Sequence, residues 1–162
     1  MSTREFFTAT WPQEAKTFVK VVRALPADQA DWRPHPRSRS AAELVWLLAQ
    51  ETGALVELLD TGVIDWHELP PTGTLADMTA AYERHLGEVS SRLQHLDDAT
   101  WDRPAKMLFE GQEVLAQPLG EMLWFFLFDA IHHRGQLSVY IRPMGGKVPA
   151  IYGPSADDPG GG

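Results

Sequence analysis

The sequence predicts an all-α protein, an antiparallel four-helix bundle with long connections and a small hairpin before the last helix. Three observations predict it. Apolar residues recur at steps of three and four in four separate segments, the mark of a helix with one buried face. Two of these segments open on a capping signature. Proline and glycine, 12 and 13 residues, fall mostly between the periodic segments and at the C-terminus.

The first helix is expected over about Thr10 to Leu25, with Trp11, Ala15, Phe18, Val22 and Leu25 on one face, Pro12 in its first turn and Pro26 as its stop. A polar connection follows to Arg39. Ser40-Ala-Ala-Glu43 is a capping box that opens a second helix running to about Asp60, and Thr61-Gly62 ends it. Its stripe reads Leu44, Leu47, Leu48, Leu55 and Leu58. Val63 to Gly73, with Pro70-Pro71, reads as a loop. Thr74 and Asp77 open a third helix with Met78, Tyr82, Leu86, Val89, Leu93 and Leu96 inward. Ala105 to Gln117 is less helical, and Leu108 to Leu115 within it reads as a small hairpin or turn around Glu110-Gly111. Pro118 opens a fourth helix to about Met144, ended by Gly145-Gly146. The domain is expected over 1–153, with 154–162 as a flexible tail. A Leu-Asp-Trp-Arg-Pro pattern near Leu25–Pro34 echoes one near Leu96–Pro104, which points to two related halves.

Composition excludes several functions. The chain has 162 residues, 44% hydrophobic and 22% charged, which suits one folded domain. A formal charge of −8 argues against nucleic acid and anionic membranes as partners. There is no cysteine, so disulfides, thiolate metal sites and cysteine nucleophiles are excluded. Met1 to Glu5 has no apolar signal core, and Met122 to Ala130 is too short to span a bilayer, so a cytoplasmic location is expected.

The informative residues are ionisable groups inside apolar stripes, because an isolated buried charge is costly. Glu51 lies between Leu44, Leu48 and Leu55 on the second helix. Asp129 follows seven unbroken apolar residues, Met122 to Phe128. His133 lies four residues on, so Asp129 and His133 share a helical face. Together Glu51, Asp129 and His133 make a three-ligand N/O site for a divalent metal, and such a set suits Zn, Ni, Mn or Fe. His132, about 100° round the helix, and His85, beside the Tyr82 stripe, stand as supporting groups or alternative ligands. No phosphate loop, dinucleotide fingerprint or serine nucleophile elbow is present.

The run Phe128-Asp-Ala-Ile-His-His-Arg-Gly-Gln-Leu137, with Tyr140 to Gly146 and Val148 to Pro154, resembles the DinB/YfiT-like family of metalloenzymes, as does Glu43-Leu-Val-Trp-Leu-Leu-Ala49. The resemblance spans the first helix to Pro154. It implies a four-helix bundle, a homodimer, and a divalent metal held by three histidines, one on the second helix and two on the fourth. His133 matches the last of these. Asp129 stands at the first position of the pair and Leu47 at the second-helix position. Glu51, one turn after Leu47, is the replacement. It further implies chemistry such as thiol-dependent transfer or isomerisation. Two readings follow: a metal-dependent transferase or hydrolase acting on a small molecule, or a metal-free homodimeric binding or stress-associated protein with a buried polar network.

Overall fold

A computed structural model describes residues 1–160. Helix α1 spans Thr3–Arg23, α2 Ala41–Thr61, strand β1 Val63–Trp66, α3 Leu75–Leu93, α4 Asp98–Asp102, β2 Pro104–Phe109, β3 Gln112–Pro118 and α5 Leu119–Ile141. A single 3-10 turn, Ala27–Gln29, lies between α1 and α2. The expected all-α, antiparallel four-helix bundle is therefore corrected. Five helices and a three-stranded mixed sheet make an α+β fold.

The four long helices bury the apolar stripes as the periodicity predicts. Helix α2 packs on α3 and α5, and α1 packs on both α5 and α3. The interior is closed by Phe7, Phe18, Leu44, Leu48, Leu58, Tyr82, Met122, Leu123, Leu127 and Leu137, all nearly without solvent contact. Each such side chain contributes about 1.5–3 kcal/mol over leaving it exposed.

Capping fixes three helix starts. The side chains of Ser2, Ser40 and Thr74 accept from the backbone N–H of Glu5, Glu43 and Asp77, whose carboxylates accept in return from the cap backbone. Helix α1 thus begins seven residues earlier than periodicity predicts, and Pro12 lies inside it rather than in its first turn. At the far end of α2, Gly62 adopts φ 79°, and Arg103 Nη2 donates to the carbonyls of Leu58 and Leu59.

Strand β1, expected as loop, pairs in parallel with β2, from Val63 opposite Lys106 to Trp66 opposite Phe109. Strands β2 and β3 form the expected hairpin. Its two turn residues, Glu110 and Gly111, have φ of 50° and 76°, the signs of a type I′ connection. A bulge falls where the register shifts after Met107. The sheet lies at the end of α2 and the start of α5, because β1 follows the Gly62 stop and β3 runs directly into Leu119.

Of the expected tail 154–162, residues 161 and 162 lie outside the described residues. Before them, Asp157 accepts from Arg142 and from the Val148 N–H, and Asp158 accepts from the Ala150 N–H. No helix among the described residues is long and apolar enough to cross a membrane.

Candidate metal centre

Glu51 on α2 and Asp129 and His133 on α5 come together as the stripes predict. One ligand atom from each lies within 4.8 Å of the others. His133 Nε2 is 3.3 Å from Asp129 Oδ2 and 3.7 Å from Glu51 Oε1. Glu51 is buried, and Asp129 reaches the surface. The three head groups open into a cavity of about 270 Å³, whose wall includes Leu47, Trp66, Met107, Phe125 and Phe126.

The electrostatics follow from this mixture of acids and apolar wall. Loss of water on burial, then the nearby Asp129 charge, pushes the Glu51 carboxyl up to about 8. Asp129 moves down because His133 donates to it, and His133 moves up through the same hydrogen bond. Without a cation, Glu51 thus keeps its proton below about pH 8, and the hydrogen bond to Asp129 favours the charged form of His133.

His132 and His133 are joined through Gln136. Its Nε2 lies 3.0 Å from His132 Nε2, and its Oε1 lies 3.2 Å from His133 Nδ1. With the amide nitrogen donating to His132, the amide oxygen faces His133 and accepts from Nδ1–H. That leaves His133 Nε2 as the nitrogen turned toward the two carboxylates. A ligating histidine is commonly oriented in this way by a partner at its other ring nitrogen. Gln136 falls within the run Phe128 to Leu137 that carries the resemblance, but the sequence pattern does not link it to the histidines, though its spacing of three residues from His133 and four from His132 was available.

The remaining candidate, His85, lies elsewhere. Its Nδ1 is 2.8 Å from the Ala49 carbonyl, across the seam between α3 and α2. It faces Gly53, where a Cβ would come within 3.0 Å of the imidazole. His85 therefore packs two helices together and does not line the cavity. His132 is exposed and supports Gln136.

A divalent cation fits these residues on two grounds. The donor set is one imidazole nitrogen and two carboxylates, hard and borderline ligands suited to first-row metals. Glu51 Oε2 is buried and has no hydrogen-bond partner, so the carboxylate form is left unsatisfied by the protein itself.

Arg134, next to the site residues, has a separate task. It is buried beside Glu14 of α1 and donates to it, and Tyr152 OH also donates to Glu14. The guanidinium lies 4.8 Å from the ring centroids of both Phe18 and Tyr152. This cluster ties α1, α5 and the C-terminal segment together, and none of its residues lines the cavity.

A protein of Bacillus subtilis (strain 168), the uncharacterized protein YrdA, is 26% identical over 159 residues, 96% of this chain and 92% of its own. The crystal structure of a DinB-like protein from Bacillus cereus is similar with a TM-score of 0.73 at 22% identity, covering 91% of this chain and 97% of that one. A mycothiol-dependent maleylpyruvate isomerase is similar with a TM-score of 0.62 at 10% identity, covering 90% of this chain and 62% of that one. A sequence model of the DinB family matches residues 1–160, and the chain belongs to that family.

Proposed function

We propose that the chain is a metal-dependent enzyme acting on a small molecule, with a divalent ion held by Glu51, Asp129 and His133. One observation carries this: three side chains of ligating type from two helices converge within 4.8 Å beside a cavity walled in part by Leu47, Trp66, Met107, Phe125 and Phe126. When bound, the cation supplies Lewis acidity and lowers the pKa of a thiol or water at the site.

The chain's own residues prepare that chemistry. Gln136 orients the His133 ring, so Nε2 is presented without rotation. Asp129, the most exposed of the three, faces the open side, where a substrate enters. Leu47 and Phe126, both buried, keep water from one side of Glu51 and strengthen charge interactions at its carboxylate. Glu51 holds a proton that must leave before its carboxylate can ligate. Thiol-dependent transfer or isomerisation is the reaction class we favour, supported by the shared fold of the mycothiol-dependent isomerase.

The test is metal content and thermal unfolding of protein purified without chelating resin. Zn²⁺, Ni²⁺ or Mn²⁺ should raise the Tm of the wild type by several degrees, and Asp129→Ala and His133→Gln should abolish that rise. An equal rise in both variants would place the ion elsewhere and defeat the assignment. No metal and no rise in the wild type would leave a metal-free polar network.

A further inference from the structure

The cavity above Glu51, Asp129 and His133 contains one strong cation that metal chemistry does not use, Arg39. Its Nη1 and Nη2 donate to the two carboxylate oxygens of Glu68, the second contact at 3.0 Å. Both side chains line this cavity and also an adjoining one of about 340 Å³ beside Trp46 and Gln50. We propose that Arg39 is the specificity-determining residue of this site, that it takes the carboxylate of a small organic acid, and that Glu68 occupies its fork until that acid arrives. The proposal rests on the triad being the reaction centre.

The geometry of the fork is the first support. A guanidinium bonded to both oxygens of one carboxylate is the arrangement by which arginine recognises carboxylates generally. Glu68 is thus an internal copy of the group the site would bind.

The exchange is also cheap. The Arg39 and Glu68 side chains are 42% and 43% exposed, so water screens their attraction and the pair contributes little. Their backbones, by contrast, are fixed. Tyr140 OH donates to the Arg39 carbonyl at 3.2 Å, and Ser40, the next residue, caps α2. Leu69, next to Glu68, donates to Gln50 Oε1 at 2.8 Å, and its carbonyl accepts from Gln50 Nε2 and Trp46 Nε1. Glu68 can therefore leave by swinging its side chain into the adjoining cavity, with no loop opening.

The rest of the lining gives the body of the ligand. Leu47, Trp66, Met107, Phe125 and Phe126 offer apolar and aromatic surface in a space of about 270 Å³. That suits a compact acid with an apolar or aromatic body. Without Arg39, the other charged groups at the wall are three acids and one histidine, and an anion would be repelled.

The experiment compares phenylacetate with its neutral analogue phenylacetamide, by calorimetric titration into wild type, Arg39→Gln and Glu68→Gln, each zinc-loaded and zinc-free. Wild type should prefer phenylacetate by at least about tenfold, the scale of a charged hydrogen-bond pair. Glu68→Gln should tighten phenylacetate several-fold, because the competitor is gone. Arg39→Gln should lose the preference while binding Zn²⁺ as wild type does. A preference that survives Arg39→Gln, or that Glu68→Gln weakens, overturns the proposal. So does phenylacetate binding that needs zinc and ignores Arg39, since that is ligation by the metal alone. Failure of wild type to bind Zn²⁺ would sink the metal reading, and the zinc-free titrations would still decide the role of Arg39.

Discussion

Glu51 gives a direct link between burial and pH. Its carboxyl titrates near 8 in the metal-free fold, against an ordinary value near 4.5 in the unfolded chain. The folded state therefore binds the extra proton, and that contribution is complete below about pH 4.5 and lost as pH rises toward 8. His133, also raised, acts with the same sign above its ordinary value. Asp129, lowered, acts oppositely and costs stability only as pH falls below its ordinary value. Metal-free protein should lose on the order of 3 kcal/mol between pH 5 and 8.5. Denaturant titrations across that range check it, and Glu51→Gln should flatten most of the slope. A cation replaces these protons, so its stabilising effect should grow over the same interval. The three ligand candidates were legible because each breaks an apolar stripe. Arg39 and Glu68 were not. They sit in irregular connections, where a charged residue is the ordinary case and no periodicity marks it.

Among the elements, the start of α5 is set by a close contact. A Cβ on Gly120 would lie 2.1 Å from the Trp101 ring, and Trp101 packs in turn against Phe7. Gly120→Ala should improve local helix propensity yet destabilise the protein by about 2 kcal/mol, because the indole must shift within a packed core. Thermal unfolding of that variant would show a lower Tm; an unchanged or higher Tm would mean that α4 yields freely. Local signals account for which elements could be read in advance. Ser40 with Glu43 and Thr74 with Asp77 marked two helix starts. The same signature stands at Ser2 and Glu5, but apolar periodicity in Thr3–Thr10 is weak and Pro12 suits a first helical turn. Strand β1 carries no such signal. Val63-Ile-Asp-Trp66 is four residues long, and its partner Lys106–Phe109 lies far along the chain. The hairpin was visible because its turn residues are adjacent, whereas a parallel partner cannot be seen from local sequence.

At the scale of the molecule, helices carry the core and the sheet completes one wall of the cavity through Trp66 and Met107. The sheet has only three short strands, and β1 is mostly half-buried or exposed. Backbone amides of β1 should therefore exchange with solvent well before those in the middle of α2, whose carbonyls and side chains are enclosed. Hydrogen exchange read by mass spectrometry checks this, and equal protection of both segments would contradict it. The parallel pairing of Val63–Trp66 with Lys106–Phe109 also bears on how the chain assembles. Helices α2 and α3 are near neighbours along the backbone, and the pairing of β1 with β2 closes a shorter loop than the one that brings Glu51 to Asp129 and His133. Glu51 on α2 therefore meets the α5 pair only across the longer of the two loops. By that measure the wall at Trp66 and Met107 should be in place before α5 delivers its acid and imidazole, so that a half-assembled chain would hold the shape of the hollow ahead of its ionisable centre.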